Sequence, residues 1–403
     1  MEYMEKNSNE RCIRLFAAVV VITALAGGLS NGIFSNYFKD AFNVTALQRG
    51  FLETPRESGG VLCAFIFIGV GFMSDAVLGI VSEILMAVGI AVMAFFQPDY
   101  AVMTAFLVIH SAGQHLFMPV NDSIGMGLAE ADKGGETLGR LKKCNDIAAM
   151  AAGILVFIGF KAGFFSFVTP VILPFAIAFV LFVIAAAILF SLRGELAKGR
   201  PKSQRVAVKK DYLPYYVTTF AYGCQKRIRL VFAPWILIEL LRQGADTIAI
   251  SMILFRLIGG LIAPHIGRFI DGHGIKNALR AEAGFIFAVF VFNGIVAWTI
   301  VDGGYDGAFW IALGVICYVL SYITEQFNMV HSVMLKKLAG DRKEDIAANL
   351  SMGVTVDHVM AIVVSPILGF VWITLGPQWV FFFTACTAVI QIIVARFMLR
   401  GCE

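Results

Sequence analysis

Long apolar runs separated by short polar ones make up most of the chain. A helix needs about 20 apolar residues to cross the hydrocarbon of a bilayer. Read at that length, the pattern predicts twelve helical spans, six over 13–38, 45–73, 78–97, 99–128, 141–162 and 168–191, and six over 212–239, 244–266, 279–300, 306–334, 346–374 and 378–399. A polar stretch at 192–211 reads as a solvated linker between them. The first run imitates a secretory signal, with Arg11 and Arg14 ahead of it and Ala24-Leu25-Ala26 at a cleavage-like position. The apolar sequence continues to Phe38 and more runs follow, so a first membrane helix that stays attached is expected.

Composition strengthens this reading. Of 403 residues 59% are hydrophobic and 15% charged, against about 25% charged in ordinary soluble domains. A soluble fold of this size leaves about a quarter of its surface wet and could not hide so many apolar side chains. Lipid is therefore the expected solvent for much of the surface. The seven cysteines are scattered, mostly inside apolar runs, and never form C-x-x-C. They read as small hydrophobes, with no disulfide, metal or other cofactor expected. No basic run is interleaved with aromatics in a solvated region, which argues against nucleic acid as a partner. No G-x-x-x-x-G-K-[ST] occurs, so ATP is not the expected energy source.

Basic residues near span ends set orientation. Counting along the predicted topology, 23 Lys and Arg fall on one side, seven of them in the linker, and 3 (Lys39, Lys161 and Arg242) on the other. Both termini and the linker are thus expected in the cytoplasm, with the chain in the cytoplasmic membrane. An even number of spans puts both termini on one side, in agreement with the charges.

The two halves look like repeats. GFMSD at 71–75 and GRFID at 267–271 lie between the second and third spans of their halves, and Lys142-Lys143 and Lys336-Lys337 between the fourth and fifth. Residues 267–276 read GRFIDGHGIK, with Gly267, Asp271, Gly274 and Lys276 at the spacing of the loop signature of the major facilitator superfamily. Glycines permit a tight turn, and an acid suits a helix N-terminus. The first copy keeps Gly71 and Asp75, moves its second glycine to Gly79 and lacks the basic residues. Over nearly its whole length the chain resembles this superfamily, and LETPRESGG (52–60) and RIRLVFAPWIL (227–237) look like a bacterial branch of it. The resemblance implies an all-α integral membrane fold: twelve transmembrane helices in two pseudo-symmetric six-helix bundles, 1–191 and 212–403, joined by the linker at 192–211. It also implies that spans 1, 4, 7 and 10 line a central cavity, that 2, 5, 8 and 11 flank it, and that 3, 6, 9 and 12 face lipid.

Charges at depth are the candidate chemistry. A charged side chain at the bilayer centre costs about 2.5–3.5 kcal/mol on insertion scales. Arg49, Arg56, Lys226, Arg227, Arg229 and Arg256 lie inside spans. Facing lipid, the six would cost on the order of 15–20 kcal/mol, more than a typical folding stability of about 5–15 kcal/mol. They must face protein, water or a bound anion. The deep acids are Glu53, Glu57, Asp122, Glu325 and Asp357, while spans 3, 6, 9 and 12 carry charge only near their cytoplasmic ends.

Helical spacing groups these residues. Tyr222, Gln225, Lys226 and Arg229 form one stripe, with Arg227 off it and set to pair with a neighbouring helix. Arg49, Glu53, Arg56 and Glu57 read either as an internal salt-bridge ladder or as a gate or proton site, beside a backbone hydrogen bond broken by Pro55. Gln114, His115, Met118 and Asp122 share a face of span 4, with His110 a turn above. The histidines read as ligand contacts or as hydrogen-bonded packing residues. Tyr318, Tyr322, Glu325 and Gln326 suit an amphipathic ligand or plain helix packing. Asp357 beside His358 could exchange protons, and Ser30, Asn31 and Asn36 could bond polar solute groups.

The resemblance then implies a secondary transporter, not an enzyme, that moves a small solute by alternating access about a midplane site. Lys226 and Arg229 suggest an organic anion, a carboxylate or sugar acid, although similar numbers of embedded cations and carboxylates leave full internal pairing open. Proton symport is the expected coupling, the five deep acids being candidates in no fixed order, with proton-coupled export of drugs or metabolites as the alternative. A monomer is expected. A membrane enzyme would need a nucleophile–base pair or metal cluster that does not stand out, and a receptor that kept the fold would bind without flux.

Overall fold

The computed structural model describes residues 2–69, 73–128, 134–196, 209–340, 342 and 344–399, and the side chains of these other than 2–9, 62–69, 126, 134–136, 138, 344–348 and 351. Among the described residues every regular element is helical. Helix α1 (Glu2–Ser30) passes through a 3-10 turn, Asn31–Ile33, into α2 (Phe34–Phe42). There follow α3 (Ala46–Gly69), α4 (Asp75–Phe95), α5 (Tyr100–Leu128), α6 (Gly134–Lys161) and α7 (Leu173–Leu192). Helix α8 (Leu213–Arg227) runs into a π-helical turn, Ile228–Phe232, then α9 (Ala233–Trp235) and a second π turn, Ile236–Leu240. Helix α10 is Ala245–Gly303, and α11 (Ala308–Ile323) continues through a 3-10 turn, Thr324–Phe327, into α12 (Asn328–Ala339). Last come α13 (Glu344–Thr374), α14 (Pro377–Cys386), α15 (Ala388–Ile393) and a π turn, Val394–Met398.

Nine helices among the described residues are long and apolar enough to cross a bilayer, which makes the chain a multi-pass membrane protein. One of them, α10, has 59 residues. At 1.5 Å per residue it would reach about 90 Å, some three bilayer cores. It is not one rod: Gly274 holds φ 77° and ψ 167°, outside the helical region, and divides it in two. Without a Cβ, Gly274 takes that conformation at little cost.

The other irregularities fall at polar residues. The span predicted at 13–38 is interrupted at Asn31, that at 306–334 at Glu325 and Gln326, and that at 212–239 just after Arg227. The π turn has a local cause. Pro234 has no N–H to give to Leu230, and Ala233 N–H reaches back five residues to Ile228 C=O. π turns inside α-helices occur frequently at functional sites. These three interruptions lie in spans 1, 7 and 10, three of the four for which the family resemblance implies a cavity-lining role.

The chain divides into two compact units, Met1–Phe42 with Pro55–Ser203, and Asn43–Thr54 with Gln204–Glu403. In the first, α4 packs on α5 and α7, and α1 on α6 and α7. Its core is aromatic: Tyr37 meets Phe175 edge to face at 5.0 Å between centroids, and Phe34 meets buried His110 the same way at 5.6 Å. In the second, α10 packs on α11, α14 and α15, and α8 on α13. Tyr212, Ile270, Leu279, Val330, Met334 and Leu335 belong to one buried apolar cluster within it.

Candidate functional site

The second unit gathers most of the predicted charges. A Cβ on Gly223 would lie 2.8 Å from Met360 Cβ, and one on Gly50 would lie 2.4 Å from Ser365 C=O. Both α8 and the start of α3 therefore cross α13 closely, with Thr54 Oγ1 donating to Ile362 C=O at 3.1 Å. Small residues allow such close crossings within membranes.

These crossings join five charged side chains. Arg49 Nη1 donates to Glu53 Oε1 at 2.5 Å. The other carboxylate oxygen of Glu53 lies 3.5 Å from Arg227 Nη1. Arg227 Nη2 reaches Asp357 Oδ1 at 3.4 Å, and Lys226 makes a direct ion pair with Asp357. Arg227 and Glu53 are wholly buried, while the Lys226 side chain is 26% exposed. The set holds three cations and two carboxylates. Buried charges persist only when paired and hydrogen-bonded, and Lys226 is more exposed than the Asp357 it pairs with.

A second group lies beside it. Arg229 Nη2 donates to the Tyr222 hydroxyl at 2.5 Å, and Arg229 Nε lies 3.8 Å from Glu325 Oε2. Arg229 is buried, whereas the Glu325 side chain is half exposed. Phe255, Tyr322 and Tyr318 stack in series at 4.4 and 4.6 Å between centroids. Arg256 sits over the Phe255 ring at 5.4 Å. Gln326 lies against Gly259, where a Cβ would come within 3.0 Å of its amide nitrogen.

The stripe expected at Tyr222, Gln225, Lys226 and Arg229 is split. Tyr222 and Arg229 meet, Lys226 turns to Asp357, and Gln225 is buried against Thr387 and Gln391. Successive helical residues point 100° apart, which separates Gln225 from Lys226, and the π turn from Ile228 alters the register before Arg229. His358 is buried next to Asp357 on α13.

The first unit places its candidates in another way. Arg56 Nη2 meets Glu57 Oε1 at 3.0 Å, and Ser111 Oγ donates to Arg56 C=O at 2.6 Å. His115 Nδ1 bonds Ser111 C=O at 2.8 Å, while its Nε2 lies 3.9 Å from Glu57. Within span 2, Arg49 pairs with Glu53, and Arg56 with Glu57. Gln114 is half-buried on α5, and Asn31 Oδ1 is buried without a hydrogen bond among the described residues. Asp122 lies on an exposed face near the end of α5, with Asn121 at 3.3 Å.

At the loop signatures Asp75 opens α4 and accepts from Ser123 Oγ at 2.5 Å, with Gly71 outside the described residues. Asp271, Gly274 and Lys276 line a cleft of about 610 Å³ with His273, Arg280 and Lys337. Gly267 lies in α10 with no atom within 4 Å of where a Cβ would stand.

Sequence reasoning passed over two buried acids. Glu83 on α4 accepts from Thr23 Oγ1 at 2.6 Å. Glu282 on α10 meets His331 of α12 at 3.0 Å. Both had been grouped with charges near the cytoplasmic ends of lipid-facing spans, yet both are wholly buried. The available signal was an acid one to two turns inside a span on the same helical side as small or apolar residues.

No protein-family model matches the chain, and no curated protein matches its sequence. Solved structures do match. The nucleoside transporter NupG aligns at a TM-score of 0.72 and 13% identity over 96% of this chain and 99% of its own. A POT family transporter in complex with 5-aminolevulinic acid aligns at 0.74 and 11% over 97% and 96%. The peptide transporter POT in complex with sulfate aligns at 0.71 and 13% over 97% and 94%. The chain therefore has the fold of these transporters, the major facilitator fold that the sequence resemblance implied.

Proposed function

We propose that the chain is a secondary active transporter of a small organic anion, a carboxylate or sugar acid, and that it couples uptake to protons by alternating access. In this reading it forms twelve spans in two six-helix bundles, 1–191 and 212–403, joined by a cytoplasmic linker at 192–211. It works as a monomer in the cytoplasmic membrane with both termini in the cytoplasm. One observation carries the anion preference: three cations, Arg49, Lys226 and Arg227, gather at Glu53 and Asp357, with Lys226 the most exposed of them. The broken helices at Asn31, Ile228 and Thr324 favour a translocation path, because irregular backbone at membrane depth is tolerated where it lines a cavity or is enclosed by protein. The fold neighbours support transport over catalysis, and one of them was solved with 5-aminolevulinic acid, itself a carboxylate.

The test is a thermal-shift screen of organic acids and neutral sugars on purified protein, followed by flux of any hit into proteoliposomes under an imposed pH gradient. Lys226→Gln and Arg229→Gln should each weaken the stabilising acid at least about tenfold, a loss of about 1.4 kcal/mol, while the protein stays folded. Equal shifts in wild type and both variants would remove the anion reading. Flux indifferent to the gradient would remove proton coupling.

The stacked Phe255, Tyr322 and Tyr318 favour a second reading, export of an amphipathic compound. Accumulation in inside-out vesicles, with none in right-side-out ones, would select it.

A further inference from the structure

The Glu282–His331 pair has no part in the site above, yet it is wired to it. Glu282 lies two turns after the break at Gly274, one turn beyond Ala278 and Leu279 of the apolar cluster. His331 follows Val330 of the same cluster. Glu282 is 0% exposed and His331 2%. His331 Nε2 lies 3.0 and 3.2 Å from the two carboxylate oxygens. The imidazole also stands edge-on to the Tyr222 ring, 5.4 Å between centroids at 83°. The Tyr222 hydroxyl is the group to which Arg229 donates, and the charges acting on it are Arg229, Glu325 and Asp357.

We propose that Glu282 and His331 form a proton-binding site whose occupancy is passed through Tyr222 to the Arg229–Glu325 pair. The proton enters from solution onto the imidazole or the carboxylate and leaves by the same atoms, with no other bond made or broken. Without it the pair is a carboxylate and a neutral imidazole, net charge −1. With it the pair is neutral in either arrangement. Protonating the pair changes the charge on the imidazole that abuts the Tyr222 ring, and with it the hold of the Tyr222 hydroxyl on Arg229, so that the guanidinium is freed for an external anion when the proton is bound. Proton and anion then bind together, as symport requires, because coupling between two sites is reciprocal.

Tyr222 of α8 is the titratable group in ring contact with His331, and the charges acting on Tyr222 in turn are Arg229 of the π turn, Glu325 of the 3-10 turn and Asp357 of α13. Tyr212, from the turn before α8, lies in the apolar cluster. The inference deepens the proposed symport and rests on it for the role of the proton, though not for the binding of the proton itself.

The experiment measures proton uptake by purified, substrate-free protein in unbuffered detergent solution, wild type against Glu282→Gln and His331→Asn. Wild type should take up one proton more than either variant between alkaline and mildly acid pH. Its ultraviolet difference spectrum over the same range should contain a tyrosine signal that Tyr222→Phe removes while the uptake step remains. An uptake step that persists in a folded Glu282→Gln or His331→Asn protein, or a wild type without the step, overturns the proposal. If neither variant folds, Glu282→Asp should shift the midpoint of the step, and an unmoved midpoint overturns it equally. The two readings fail separately. A missing step with gradient-driven flux intact sinks this pair alone, and an intact step without gradient-driven flux sinks the symport.

Discussion

The two units handle buried charge differently. At matching places, eight residues after the start of α4 and seven after the restart of α10 at Ile275, each carries a fully buried glutamate. In the first unit Glu83 has the hydroxyl of Thr23; in the second Glu282 has the imidazole of His331. The same contrast holds for span 2. Arg56 and Glu57 pair in the first unit with the Arg56 side chain 18% exposed, while Arg49 and Glu53 join a buried network that reaches two other helices in the second. Helices α4 to α7 of the first unit run without 3-10 or π turns, whereas the paths through α8–α9 and α11–α12 are interrupted beside their charges. A carboxylate held by a hydroxyl is a packing element that a neutral isostere can replace. One held by cations is part of a charge balance that cannot lose a member cheaply.

Substitutions can break this contrast, and the largest effect belongs to Glu53→Gln. It leaves Arg227 and Arg49 short of a buried countercharge, and breaking a buried pair from one side costs about 3–5 kcal/mol. Chemical or thermal unfolding in detergent should show a loss of that size, and a near-neutral result would mean that the network is hydrated.

Gly50→Val comes next. Its side chain must enter space 2.4 Å from a backbone oxygen of α13, and overpacking costs about 1–3 kcal/mol. Because this crossing carries Glu53 to Arg227, transport should fall further than stability does.

Glu57→Gln, the first-unit counterpart of Glu53→Gln, should cost less, about 1–3 kcal/mol, since the Arg56 side chain is 18% exposed and keeps some access to water whereas Arg227 is wholly buried. A penalty equal to that of Glu53→Gln would erase the distinction between the units.

Glu83→Gln should have the smallest effect, below about 1 kcal/mol, because the amide oxygen can still accept from Thr23.

Much of the membrane architecture was legible in the pattern of apolar runs. Length and hydropathy act locally, and a 20-residue apolar segment has few alternatives in lipid. The break at Gly274 was marked by its own motif, and Pro234 marked the span that carries the π turns. The embedded cations were legible too, because charge within an apolar run stands out against its neighbours.

Their partners were not. Helical spacing placed Gln225 with Lys226 and joined Arg49, Glu53, Arg56 and Glu57 into one ladder. The folded chain sends Gln225 to Gln391 of α15 and brings Glu53 to Arg227, a partner that helical spacing does not give. Glu83 and Glu282 looked peripheral because they lie early in their spans, and only the packing of α12 onto α10 brings His331 to Glu282. By itself the sequence determined which segments enter the bilayer and which charges must be rescued there, since transfer from water to lipid depends on each segment alone. Tertiary structure decided which charge rescues which, since an ion pair forms over 3–4 Å between helices far apart in the chain, at crossings set by glycines and helix breaks whose combined effect no single stretch encodes.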